Sequence, residues 1–218
     1  MFIGAMTRFA EIAGNETVLR SATCLAQAAA SVGSMQIRNM ATIGGNVANA
    51  SPCADTVPAL LALQADAGIL LCDGSIQRRP LTEVIRAASQ KLLPHNELIF
   101  DFSFEVLPAH ARSAFAKLGA RSAVTISKLN AALVVEYLSP GASVCVARAA
   151  FGSLASVAFV DETCSKALLG QPLDAAATDR FAEAATALVD RSIPNRASRP
   201  YKRLAIRGIA HDLIAGLN

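Results

Sequence analysis

Gln36-Ile37-Arg38-Asn39-Met40-Ala41-Thr42-Ile43-Gly44-Gly45-Asn46-Val47-Ala48-Asn49-Ala50-Ser51-Pro52-Cys53-Ala54-Asp55 is the stretch on which the reading of this chain turns. Gly44 and Gly45 have no Cβ, so the backbone there can adopt unusual dihedrals and come close to a ligand. Thr42, Asn46, Asn49 and Ser51 place small hydrogen-bonding side chains around that point. Successive backbone N–H groups in such a turn can face an anion, which makes the stretch a candidate phosphate cradle. Asp55 adds a carboxylate able to accept from a ribose hydroxyl. The plain alternative is a turn between two elements, since Gly, Asn, Ser and Pro are ordinary turn residues.

The chain around it has 218 residues, enough for one large domain or two small ones. Hydrophobic residues make up 53% and charged residues 17%, so a sizeable core is expected. A net charge of +3, with no basic run interleaved with aromatics, does not argue for nucleic acid. No apolar stretch reaches the length of a membrane span, and no basic region followed by an apolar core opens the chain. Cys24, Cys53, Cys72, Cys145 and Cys164 are scattered, with no Cys-x-x-Cys pair to suggest zinc or an iron–sulfur cluster. They read as small buried apolar residues in a reducing compartment, with Cys53 alone beside the glycine pair. His95, His110 and His211 are isolated from one another, and none stands at metal-ligand or triad spacing.

Working outward, Phe2 to Thr7 reads as a short strand and turn, with Thr7 capping a short helix around Phe9 and Ile12. Leu19 to Ser31 is alanine-rich and reads as a helix. Pro58 to Leu63 reads as a core helix with Asp55 and Thr56 near its N-terminus, where free N–H groups favour anions. Ala67 to Leu71 and Ser75 to Arg79 flank Cys72-Asp73-Gly74, a hairpin signal. Leu81 to Arg86 starts a helix with Thr82 as its cap. Glu97 to Val106 alternates with period two, setting Leu98, Phe100, Phe102 and Phe104 on one face and Ile99, Asp101, Ser103 and Glu105 on the other. Pro108 ends it and marks a boundary, giving units 1–108 and 109–218.

In the second unit Ser113 to Leu118 reads as a strand. Ile126 to Tyr137 fits a strand or a helix; the reading taken is helix first, then strand. Ser139-Pro140-Gly141-Ala142 is a hairpin turn, and Val144 to Phe151 its returning strand. Asp161 to Leu169 reads as a helix ending at Gly170. Ala175 to Arg191 is a second helix capped by Asp174 or Thr178. Tyr201 to Leu217 is a terminal helix whose Lys202, Arg203 and Arg207 form a solvated face.

Ile-Arg-Asn, then Thr-Ile-Gly-Gly-Asn, then Ala-Asn-Ala-Ser-Pro, then an Asp before an apolar run closely resembles the FAD-binding subunits of the molybdenum hydroxylase family, of the xanthine dehydrogenase and carbon monoxide dehydrogenase type. The resemblance runs from Met1 to the end and is most specific over residues 36–55. It implies an α+β fold: an FAD-binding subdomain of the molybdopterin dehydrogenase flavoprotein type, followed by a small antiparallel sheet packed on helices. It places Thr42, Ile43, Gly44, Gly45 and Asn46 against the FAD pyrophosphate and Asp55 on the flavin nucleotide. Ile99 falls on an aliphatic contact near the isoalloxazine, and Lys117 on the lysine near the flavin. Arg38 matches the arginine before the loop, where its plain role is to pin backbone carbonyls.

The resemblance also implies an oxidoreductase subunit that takes electrons from iron–sulfur clusters on a partner and passes them through FAD to NAD or oxygen. Substrate would react at a molybdenum cofactor on a different chain, in a cytoplasmic heterotrimer. In the family a first subdomain with a Gly-Gly-Thr-Asp motif precedes the segment that Met1 to Thr7 matches, and this sequence has no second Gly-Gly pair. The expectation is a shortened flavin clamp. The alternative reading is a remnant or assembly subunit that keeps the fold without FAD.

Overall fold

The computed structural model describes residues 1–92, 94, 96–121, 123–139 and 143–217. The first half runs β1 (Phe2–Gly4), α1 (Phe9–Gly14), α2 (Glu16–Ser21), α3 (Thr23–Ala30), α4 (Met35–Arg38), α5 (Ile43–Asn49), α6 (Thr56–Ala62), β2 (Asp66–Leu70), β3 (Ile76–Pro80), α7 (Leu81–Ser89) and β4 (Leu98–Ser103). The second half runs β5 (Ala111–Leu118), β6 (Leu129–Tyr137), β7 (Val144–Gly152), β8 (Phe159–Val160), α8 (Glu162–Lys166), α9 (Ala175–Ser192) and α10 (Arg199–Ala215). Among the described residues the strands form two four-stranded antiparallel sheets, β1-β4-β2-β3 and β5-β6-β7-β8.

The second sheet is covered on both faces. Ala132 and Val134 of β6 join the core built with Leu25 of α3 and Leu60 of α6. Their neighbours Ala131, Leu133 and Val135 join the core built with Phe181 of α9 and Ile206 and Leu213 of α10. A strand buried on both faces needs apolar residues at every position, so it shows no alternation. That is why Leu129 to Val135, read as helical from sequence, is strand throughout. The turn expected at Ser139 to Ala142 falls largely on residues 140–142, outside the described residues.

Other local readings change with packing. Residues 19–31 are two helices, broken at Ala22, whose ψ of 49 is not helical. Arg8, not Thr7, precedes α1, and the Glu11 carboxylate accepts from its N–H at 2.8 Å. Pro80, not Thr82, precedes α7. In β4 the pairing with β2 slips between Gly68 and Ile69, so Phe100 stands out of register. Phe102 and Asp101 are buried while Leu98 and Phe100 are exposed, so the expected apolar face is not a single face. Of the caps expected in the second half, Asp174 holds, accepting from Ala177 N at 2.7 Å, but α8 ends at Lys166 with Ala167 as its C-cap, short of the expected Gly170, which stands at φ +73 in the turn beyond.

Candidate functional site

The motif folds as a helix with its start tied down. Thr42 is the N-cap of α5, and its hydroxyl accepts from Gly45 N at 3.2 Å. Ile43 N donates to Thr7 O, Gly44 N to Ala5 O and Asn46 N to Thr42 O. The first four N–H groups of α5 are therefore satisfied within the chain. This corrects the expectation of an open ladder of N–H groups facing an anion.

The two glycines have different jobs. Gly44 is buried, and an ideal Cβ there would lie 2.6 Å from Ala5 Cβ and 2.8 Å from Ala5 O. The close backbone approach it permits is to the turn after β1. Gly45 is exposed, and a Cβ there would meet only Thr42 Oγ1, at 3.2 Å, within 4 Å. It leaves a flat, open shelf beside Asn46. Arg38 does pin carbonyls, donating to Val32 O at 3.0 Å and Gly33 O at 3.4 Å.

A cleft of about 340 Å³ opens next to this shelf, toward the small end of the roughly 300–1,000 Å³ range of small-molecule sites. One wall is Ser51 with Cys53, Ala54 and Asp55 and another is Val124 to Ser127, with Val32, Gly33, Ile37, Asn46 and Asn49 completing it. Asn46 Oδ1 accepts from Thr56 Oγ1 at 2.7 Å, which leaves its Nδ2 to donate.

Asp55 lies at the floor, 6% exposed, and its carboxylate accepts from three side chains. Oδ2 accepts from Lys117 Nζ at 2.5 Å; Oδ1 accepts from Asn130 Nδ2 at 2.8 Å and from the Ser127 hydroxyl. Lys117 Nζ also donates to Ser31 O at 3.0 Å, beyond the C-terminus of α3, where a cation suits the helix dipole. Asn130 Nδ2 donates further to Ala54 O at 3.2 Å.

The structure thus brings Asn46 and Asp55 to one cleft and ties Asp55 to Lys117, which does not itself line the cleft, while Thr42 and Gly45 stand beside Asn46 at the start of α5. Ile43 and Gly44 lie behind them, in the core. Ile99 pairs with Ile69 in the first sheet, half-buried, and does not line the cleft. Sequence reasoning missed Ser127 and Asn130, and took Lys202 for a surface residue although it is buried. The available signal for Asn130 was a lone polar side chain inside the apolar run Leu129 to Val135.

Of the cysteines, Cys24 and Cys164 are buried as expected, but Cys72 and Cys145 are exposed and Cys53 is half-buried in the cleft wall. His110 and His211 are exposed, and His95 lies outside the described residues. Among the described residues no group of His, Cys, Asp and Glu could hold a metal ion, and no helix is long and apolar enough to cross a membrane.

These residues fit part of a flavin dinucleotide. The open backbone at Gly45 and the amides of Asn46 and Asn49 offer a surface and donors for a phosphate group. The cleft floor offers an oriented carboxylate and hydroxyls for a polyol.

Residues 1–104 match the family model described as the FAD binding domain in molybdopterin dehydrogenase. Residues 114–215 match the CO dehydrogenase flavoprotein C-terminal domain. The chain is 28% identical to the nicotinate dehydrogenase FAD-subunit of Eubacterium barkeri, over 99% of this chain and 73% of that one. It is 27% identical to the 6-hydroxypseudooxynicotine dehydrogenase complex subunit alpha of Paenarthrobacter nicotinovorans, over 95% of this chain but 62% of that one. Among solved structures, a carbon monoxide dehydrogenase from Hydrogenophaga pseudoflava matches with a TM-score of 0.85 and 26% identity, over 99% of this chain and 74% of that one. With two adjoining family models covering nearly its whole length in the family's own order, the chain belongs to the FAD-binding subunits of the molybdenum hydroxylases.

Proposed function

We propose that this chain carries FAD in a molybdenum hydroxylase complex and relays electrons from partner iron–sulfur clusters to NAD or oxygen. The observation that carries the reading is the cleft lined by Asn46 and Asp55, two residues of the motif, with Asp55 held from behind by a lysine of the second half. Thr42, Gly45 and Asn46 would hold the pyrophosphate, with the Gly45 backbone as the surface it lies on. Asp55 and its lysine would meet the flavin side of the molecule. Bound FAD supplies reversible one- and two-electron transfer. The protein's part is to bind, orient and screen it from water.

Substrate hydroxylation would belong to a molybdenum-cofactor subunit, and the iron–sulfur clusters to another. Five free cysteines support a reducing, cytoplasmic setting. We place the division between the FAD-binding unit and the C-terminal unit at 108/109, between the two sheets. A second reading, a fold kept without cofactor, draws support from the N–H groups of α5 being spent inside the chain. Equilibrium dialysis against FAD separates the two. Anaerobic NADH added to the FAD-loaded protein then tests the acceptor: bleaching of the flavin supports NAD, and no bleaching removes it in favour of oxygen.

A further inference from the structure

We propose that Lys202, on the C-terminal helix α10, is a positioning residue for the cleft: acting through Ser153, it fixes the spacing of the two cleft walls and with it the orientation of Asp55. The proposal rests on the FAD reading above and extends it to a residue more than forty positions beyond any other at the site.

Lys202 is 9% exposed, and its ammonium donates to Ser153 O at 2.5 Å. Among the described residues no carboxylate pairs with it. Burial holds its pKa below the ordinary lysine range, opposed by Cys53 and helped by Arg196. A buried cation without a counter-ion is costly, and the apolar packing of α10 through Ile206, Ile209 and Leu213 does not require it. Its use lies in what it holds.

Ser153 has φ +64, a left-handed conformation unfavourable for a residue with a Cβ. Such residues persist where their surroundings over-determine them, and they cluster at ligand sites. All three polar groups of Ser153 are taken. Its N–H donates to Pro52 O at 2.8 Å, between Ser51 and Cys53 of one cleft wall. Its hydroxyl donates to Ser127 O at 3.1 Å, in the other. Its carbonyl accepts from Lys202. Ser127 in turn donates to Asp55, and Gly152 lets the chain close on Asn130, whose Oδ1 a Cβ would collide with. One lysine thus clamps the residue at which both walls join.

The test is FAD affinity, by dialysis, for wild type, Lys202→Met, Lys202→Arg and Leu213→Ala, a core truncation on the same helix that touches neither wall. A second measurement, needing no FAD, is a double-mutant cycle between Lys202→Met and Ser127→Ala in urea unfolding. We expect Lys202→Met to weaken FAD binding about ten-fold, Lys202→Arg to restore most of it, Leu213→Ala to leave it within about two-fold, and the cycle to be non-additive. Equal weakening by Lys202→Met and Leu213→Ala, or unchanged affinity in Lys202→Met, overturns the proposal. Failure of the wild type itself to take FAD overturns the functional reading, and an additive cycle then removes the clamp as well.

Discussion

Asp55 and Lys117 stand 62 residues apart in the chain and meet at 2.5 Å, with side chains 8% and 11% exposed. One carboxylate joins the helices of the first half to β5 and β6 of the second. Asp55 also lines the cleft, so the residue that the motif marks for a ligand is also a tie between the two halves.

Breaking that tie from one side leaves a charge in a dry place. Lys117→Met strands the Asp55 carboxylate with only Ser127 and Asn130, and Asp55→Asn strands the ammonium. Each should destabilise by about 3–5 kcal/mol in urea unfolding, and the double substitution should cost less than the sum of the two. Additive losses would mean the two side chains do not depend on one another.

The glycine pair should split under substitution. Gly44→Ala drives a methyl into Ala5 and should cost about 1–3 kcal/mol. Gly45→Ala sits on an exposed helix position where the methyl presses only on Thr42 Oγ1, at 3.2 Å, and should change stability by no more than about 1 kcal/mol, far less than Gly44→Ala. The same methyl stands on the shelf, so FAD affinity should fall in Gly45→Ala although the fold does not suffer. Thermal unfolding and dialysis on the two variants check both signs.

Acid should loosen the second half through Asp161. Burial raises the pKa of this carboxyl, but Arg191 and the Cys164 N–H outweigh burial and hold it below the usual carboxylate range. A carboxyl whose pKa is lower folded than unfolded stabilises the fold fully above the unfolded value, about 3.9, and loses that contribution as pH falls through the folded value. Asp161→Asn should therefore unfold at a lower temperature at neutral pH yet show a shallower decline in Tm below about pH 4. Parallel declines in the two proteins would count against the pair.

Thiol labelling should sort the cysteines by position. Burial pushes the Cys24 thiol up to about 12 and raises that of Cys164 as well, so neither should react with a thiol reagent in the native protein. Cys72 and Cys145 are exposed and should react fast. Cys53 lines the cleft, and its labelling should slow when FAD is added while that of Cys72 and Cys145 does not change. Mass spectrometry of labelled peptides reads each site separately.

Much of this was legible in the sequence because it is local. The hairpin at Asp73-Gly74 and the cap at Asp174 each depend on a residue whose chemistry acts within a few positions. The motif was legible for the same reason, since Thr42, Gly45, Asn46 and Asp55 lie within fourteen residues. What failed depended on distant packing. Leu129 to Val135 lacks a strand's alternation because helices from both halves cover it. Gly44 is small because of Ala5, 39 residues earlier. Lys202 was assigned to solvent because lysine usually stays there; its partner is a left-handed serine that no local pattern announces.

The most direct test of the account is the visible absorption spectrum of the purified protein after FAD is added and the excess removed, with Asp55→Ala alongside. The account predicts flavin bands in the wild type at near-stoichiometric intensity and their loss in Asp55→Ala. A folded wild-type protein that stays colourless would contradict it and leave the cofactor-free reading in its place.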